Sequence, residues 1–144
     1  MAIFATSASE VGMTRLQYDL GAAGSIFSGS DSSDVLSAGN QTDILEGGGG
    51  ADVLSGGGGN DVLSDGAGND TLTGGAGADT FVFSRDGEAD TISDFDPLND
   101  RIDLSQWYGL RGASQLEIAT LADGFQLVYG KRCEAPMVSR LVVI

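Results

Sequence analysis

The chain has 144 residues, 41% of them apolar, with 23 glycines, one cysteine, no histidine and a formal net charge of -14. Its length suits one domain rather than two, and so acidic a chain offers no basic surface for nucleic acid phosphates or an anionic membrane. Without histidine it lacks the commonest general base and the commonest transition-metal ligand, and with Cys133 alone it forms neither an internal disulfide nor a cysteine-based zinc site.

Met1 to Glu10 has neither a basic start nor a long apolar core, so no cleavable secretory signal is expected there, and no window reaches the length of a membrane span. Thr14 to Leu20 places Leu16, Tyr18 and Leu20 on one side of a strand that would cover the first repeat. Leu20 to Ser28 reads as a decayed repeat, with Phe27 in the apolar place and Ser25 where an aspartate would stand. Residues 1–28 are read as an amino-terminal cap.

Between Gly29 and Val82 the chain repeats every nine residues as GSDSSDVLS, AGNQTDILE, GGGGADVLS, GGGGNDVLS, DGAGNDTLT and GGAGADTFV. Asp34, Asp43, Asp52, Asp61, Asp70 and Asp79 fill the sixth column, and Leu36, Leu45, Leu54, Leu63, Leu72 and Phe81 the eighth. A fixed period of this kind is the mark of a solenoid. The first six residues of each repeat turn the chain, since glycine accepts positive φ at no steric cost. Triplets such as Val53-Leu54-Ser55 supply a very short strand.

Two repeats make one coil of 18 residues. Leu36, Leu54 and Leu72 then face Leu45, Leu63 and Phe81 across a thin core between two parallel sheets. The predicted fold is all-β, a right-handed parallel β-roll with capping segments. The seventh column, Val35, Ile44, Val53, Val62, Thr71 and Thr80, points outward as β-branched residues suited to exposed strands.

After Val82 the spacing slips. Asp90-Thr91-Ile92 and Asp100-Arg101-Ile102 keep the aspartate and apolar places and read as two closing rungs, with Trp107 and Tyr108 sealing the end of the core. Residues 29–105 therefore form the roll and 106–144 a carboxy-terminal cap. Within that cap Leu116–Leu121 and Phe125–Tyr129 flank an Asp123-Gly124 turn as a hairpin, and Met137–Ile144 ends in a strand-like run.

Stacked rungs stand about 4.8 Å apart, so aspartates one coil apart form columns of like charge along both edges of the roll. Each adjacent pair repels by roughly 1 kcal/mol in water and about 4 kcal/mol at the effective dielectric of a protein surface. Over several rungs the sum rivals the whole stability of a small domain, about 5–15 kcal/mol. A cation must neutralise the columns. Calcium, with six to eight oxygen ligands at flexible geometry, suits glycine turns that expose carbonyls better than magnesium or zinc does.

The repeats, followed by Asp79-Thr80-Phe81-Val82-Phe83 and the segment Asp90 to Ser105, resemble the RTX family of type I secreted proteins, including the repeat regions of serralysin-type proteases, haemolysins and mannuronan epimerases. The resemblance implies several calcium ions, each between turns one coil apart. Carbonyls of the second and fourth positions of the earlier turn, carbonyls of the first and third of the later one, and both aspartates would bind it. One site would join Gly48, Gly50 and Asp52 to Asp65, Ala67 and Asp70, and its neighbour Gly57, Gly59 and Asp61 to Gly74, Ala76 and Asp79. Two more would join Ser30, Ser32 and Asp34 to Gly47, Gly49 and Asp52, and Gly39, Gln41 and Asp43 to Gly56, Gly58 and Asp61. Ser30, Ser32 and Gln41 replace glycines of the family pattern, so weaker or missing ions are expected in the first two turns.

The resemblance further implies a secreted, extracellular module that folds on calcium after type I export and belongs to the carboxy-terminal part of a larger protein. The tail Arg140 to Ile144 is apolar like those of exported substrates but lacks the acidic residue often preceding it. Polysaccharide of the alginate kind is the alternative partner. No enzyme is expected: neither HExxH nor GxSxG occurs.

Overall fold

In a computed structural model, residues 24–86 and 88–107 are described throughout, together with strands at 16–19, 116–121, 124–129 and 139–143. No helix occurs among the described residues. The chain winds between two sheets. The six-stranded sheet has the order β1 (Leu16–Asp19), β2 (Ser25–Ser28), β4 (Ile44–Gly49), β6 (Val62–Ala67), β8 (Thr80–Val82) and β10 (Arg101–Asp103). The seven-stranded sheet runs from β11 (Leu116–Leu121) through β12 (Gly124–Tyr129), β13 (Ser139–Val143), β9 (Ala89–Ile92), β7 (Thr71–Ala76) and β5 (Val53–Gly58) to β3 (Val35–Ser37).

Alternate repeats stack in parallel and in register, Leu36 on Leu54 and Leu54 on Leu72 in one sheet, Leu45 on Leu63 and Leu63 on Phe81 in the other. This is the parallel β-roll that the period implied. The eighth column is the core. Leu45, Leu54, Leu63, Leu72 and Phe81 are fully buried, joined by Phe27, Leu36, Phe83, Ile92 and Trp107. Phe27 pairs with Leu45, so the decayed repeat is a true rung. In the outward column Val35, Ile44 and Val53 are exposed.

Both closing rungs join the stack: Ile92 pairs with Leu72, and Ile102 with Phe81. Trp107 closes the core end, its indole N–H donating to the Ser84 carbonyl at 3.0 Å. Tyr108 lies outside the described residues. The hairpin forms as expected, Leu121 pairing with Gly124 across the turn. The last strand does more than cap, because β13 pairs antiparallel with β12 and parallel with β9, extending the rolled sheet.

One expectation is corrected. The glycine-rich sixes are not free of strand, since β4 to β7 each run six residues and Gly48 pairs with Gly66, and Gly57 with Gly75. Parallel pairing requires only main-chain groups in register. Identical turns one coil apart supply that register without any side chain.

Candidate metal centre

Turns 29–34, 47–52 and 65–70 lie on one edge of the roll and lead into β3, β5 and β7, while turns 38–43, 56–61 and 74–79 lie on the other and lead into β4, β6 and β8. Each turn ends in a column aspartate, and all six are buried to within 2% exposure. Their burial has a local cause. One carboxylate oxygen, Oδ1, accepts the main-chain N–H of the corresponding residue one coil earlier: Asp52 from Asp34 at 2.7 Å, Asp61 from Asp43 at 2.8 Å, Asp70 from Asp52 at 2.7 Å and Asp79 from Asp61 at 2.8 Å. Ser25 uses its own N–H in the same way, onto Asp43 at 2.6 Å. The carboxylates thus staple successive coils by their inner oxygen.

The outer oxygen divides the turns into two classes. In Asp52, Asp61, Asp70 and Asp79, Oδ2 is buried and has no hydrogen-bond partner among the described residues. A buried carboxylate oxygen left unpaired costs several kcal/mol unless a cation meets it. In the first turn, by contrast, Asp34 Oδ2 accepts the Ser30 N–H at 2.6 Å and the Ser30 hydroxyl at 2.9 Å. Asp43 Oδ2 accepts the Gly39 N–H at 3.3 Å.

The backbone separates the same two classes. From Gly48 to Gly77 the second and fourth positions of every turn hold positive φ, between 97° and 143°, whereas Gly39 does not, and Ser30, Ser32 and Gln41 stand in place of glycine at the other such positions of the first two turns. Carbonyls of Gly48, Gly50, Gly57 and Gly59 lie directly against the residues one coil later, so a Cβ at Gly66, Gly68, Gly75 or Gly77 would strike them. The first-position carbonyls face the opposite way, that of Asp65 toward Gly47 and that of Gly74 toward Gly56. A Cβ on Gly56 would overlap Asp61 Oδ2 as well. Glycine there keeps open a cradle between the carboxylate oxygen and the carbonyls.

Burial is the main electrostatic effect on these groups. It pushes Asp61 and Asp70 up to about 6, and raises Asp52 and Asp79 in the same direction, against hydrogen bonds from the main chain that favour the charged form. Like charges one coil away add to the rise, Asp79 and Asp43 acting on Asp61, and Asp52 on Asp70. A multivalent cation with oxygen ligands relieves both effects at once.

For the two sites expected around the middle turns, the contributing turns stand one coil apart and in register. On one edge the Gly48 and Gly50 carbonyls face Gly66 and Gly68 and Asp70 accepts the Asp52 N–H, with Asp65 and Ala67 in the later turn. On the other the Gly57 and Gly59 carbonyls face Gly75 and Gly77 and Asp79 accepts the Asp61 N–H, with Gly74 and Ala76 in the later turn. The Ala67 and Ala76 carbonyls also accept the Gly50 and Gly59 N–H groups, at 2.8 and 2.9 Å, leaving one lone pair each. In the first two gaps the Ser30 and Gly39 carbonyls are engaged by Gly49 and Gly58 N–H. Two roles were not anticipated. Asp94 closes the second edge by accepting the Gly74 and Gly75 N–H groups at 2.9 and 2.7 Å. The Asp65 side chain, expected to offer only its carbonyl, turns into the stack beside Asp70 and Asp90. An aspartate in a glycine place was the signal for it.

Comparison with known proteins agrees with this geometry. The family model of the RTX calcium-binding nonapeptide repeat (4 copies) matches residues 21–54, 28–63 and 55–92. Among solved structures, the AlgE6R3 subunit of the Azotobacter vinelandii mannuronan C5-epimerase is 37% identical, with a TM-score of 0.56 over 77% of this chain and 71% of that one. The AlgE6R2 subunit of the same organism's mannuronan C5-epimerase is 33% identical, with a TM-score of 0.59 over 81% and 83%. No curated protein sequence matches.

Proposed function

The chain belongs to the family of RTX calcium-binding nonapeptide repeats, and from that premise we propose that it is a non-catalytic module that folds on calcium outside the cell after type I secretion, as the carboxy-terminal part of a secreted protein. The four orphaned, buried Oδ2 atoms of Asp52, Asp61, Asp70 and Asp79 carry this reading. Calcium, when bound, supplies the positive charge and the oxygen coordination these atoms lack. The chain's own residues do the rest. Glycine carbonyls of adjacent coils converge on the gap, the inner carboxylate oxygens hold the coils in register, and the Leu and Phe column buries itself once the coils close.

Without calcium the aspartate columns repel and the many glycines favour disorder, so the chain stays open enough to thread an exporter. At extracellular calcium, near the about 0.1–1 mM range of such modules, it folds and does not return. The middle pairs of turns hold the securest ions. The first two, where Ser30 and Gly39 already occupy the aspartates, hold weaker ones or none. Circular dichroism in EDTA and then in a few millimolar calcium tests the coupling. A coil spectrum that converts to β on adding calcium is expected, and the same ordered β spectrum in both would refute it.

A polysaccharide-binding role is the second reading, favoured by the likeness to subunits of a mannuronan C5-epimerase. The net charge of -14 opposes binding of an acidic polymer except through bound calcium. Titration with mannuronan oligomers at saturating calcium tests it, and the absence of heat and of chemical-shift change would remove it.

A further inference from the structure

The closing turn on the first edge does not copy the repeats below it. Asp90 takes the column place, its Oδ1 accepting the Asp70 N–H at 3.1 Å, but it stands 20 residues after Asp70 rather than 18. Asp65, Asp70 and Asp90 are each buried to within 2% exposure, and one carboxylate oxygen from each lies within 4.8 Å of the others. Asp70 Oδ2 is one of the orphaned atoms. The repeat sites offer two carboxylates. Here a third comes from the first turn position, where Gly47, Gly56 and Gly74 stand in the neighbouring turns.

The other edge closes differently. Asp100 Oδ1 accepts the Asp79 N–H at 2.9 Å and its Oδ2 the Asp96 N–H at 2.8 Å, so both oxygens are engaged by main chain. That turn closes on itself, whereas the Asp65, Asp70 and Asp90 group gathers charge.

We propose that Asp65, Asp70 and Asp90 form a three-carboxylate cation site that ends the first edge of the roll and takes calcium ahead of the two-carboxylate sites between the repeats. The inference rests on the calcium reading of the turns and deepens it. Affinity in oxygen-ligand sites rises with the number of charged ligands and with rigidity, and this site has both. Asp65 Oδ1 is fixed by the Gly66 N–H at 2.5 Å, the Ser84 N–H at 2.9 Å and the Ser84 hydroxyl at 3.0 Å. Asp86 stands beside the group, its Oδ2 accepting the Gly68 N–H at 2.7 Å.

The site is also wired to the end of the core. Ser84, which holds Asp65, accepts the indole N–H of Trp107 at 3.0 Å, and Trp107 is buried among the core residues. Filling the site fixes the closing turn and with it the seal, so the single tryptophan of the chain reports on it.

Calcium titration of the full chain, followed by calorimetry and by Trp107 emission, tests the proposal. The parent chain is expected to show a first, tightest step that carries the emission change. Asp65→Gly restores the residue of the other turns and keeps the carbonyl used by the repeat site below, while Asp65→Asn keeps the hydrogen bonds to Ser84 and removes the charge. Both are expected to bind one ion fewer in the first step and to move the emission midpoint to about tenfold higher calcium. Asp31→Asn, at an exposed carboxylate outside every proposed ligand set, should leave the emission midpoint in place. An unchanged first step and midpoint in both Asp65 variants overturns the proposal and leaves Asp65 as an acceptor for Ser84. A parent chain that binds no calcium defeats the underlying reading instead.

Discussion

The first two turns and the four that follow share a period, a core and a pair of sheets, yet they solve the problem of a buried aspartate in opposite ways. Ser30 and Gly39 fold their own N–H groups back onto Asp34 and Asp43, and Gly39, the one glycine at a second or fourth position there, stays out of the left-handed region. In the later turns left-handed glycines at the second and fourth positions accompany an outer oxygen with no protein partner. The aspartate column does not by itself make a metal site. The glycine phase decides whether a turn satisfies its carboxylate internally or leaves it to a cation.

Moving a side chain into each class of turn gives the largest expected contrast. Gly66 has φ of 97°, and an added Cβ would overlap the Gly48 carbonyl oxygen and come within 2.8 Å of its carbon and nitrogen. Backbone atoms cannot step aside as a flexible side chain does. Gly66→Ala should therefore destabilise the calcium-loaded chain by about 3 kcal/mol, from left-handed strain plus overpacking. Gly39 has nothing within 4 Å of such a Cβ and no positive φ, so Gly39→Ala should be neutral or stabilising by up to about 1 kcal/mol through the unfolded chain. Urea unfolding of both variants in calcium checks the contrast, and equal losses would erase the distinction between the classes.

Charge gives the next largest effect, and its sign depends on the metal. Burial holds Asp61 and Asp70 near 6, Asp65 near 7 and Asp90 near 8, against 3.8 for a free carboxyl. Raised values mean that the metal-free fold binds more protons than the unfolded chain. The stability these groups allow is fully present below pH 3.8 and is lost as pH rises through about 6 to 8. In EDTA the β signal should grow on acidification from pH 8 to pH 5. Asp61→Asn keeps an oxygen for the Asp43 N–H and removes the buried charge. It should raise β content in EDTA at pH 7 yet lower calcium affinity about tenfold, roughly 1.4 kcal/mol. Dichroism and calorimetry on the same variant read the two signs, and a loss in both conditions would mean that Asp61 serves structure alone.

The roll was legible because its determinants are periodic. An apolar residue at Leu36, Leu45, Leu54, Leu63, Leu72 and Phe81 fixes the stacking interval, and the rungs at Asp90 and Asp100 were visible through the same two columns. What escaped notice was non-periodic. Phe83 and the inward turn of Asp65 depend on how the chain crosses the closing turn, and the Gly74 and Gly75 N–H groups meet Asp94 only after the stack has formed. The strand character of the glycine sixes was hidden for another reason. Propensity scores a residue alone, while the parallel ladder through Gly48 and Gly66 rewards the match between two identical turns.

The smallest effect separates the serines from the glycines they replace. Ser30 donates twice to Asp34 Oδ2, through its N–H and its hydroxyl. Ser30→Ala removes the hydroxyl's bond to Asp34 and the Ser32 N–H bond it accepts at 3.2 Å, and should cost about 1 kcal/mol, the same with and without calcium if the first turn closes on itself. Replacing both Ser30 and Ser32 by glycine goes further, because it gives the first turn the residues that hold positive φ at Gly48 and Gly50. That chain should bind one more calcium ion than its parent by calorimetry. An unchanged stoichiometry would show that the second and fourth positions do not decide the class of the turn, and the cause would then have to lie in the weaker stack below it, where Ser25 stands in the column in place of an aspartate.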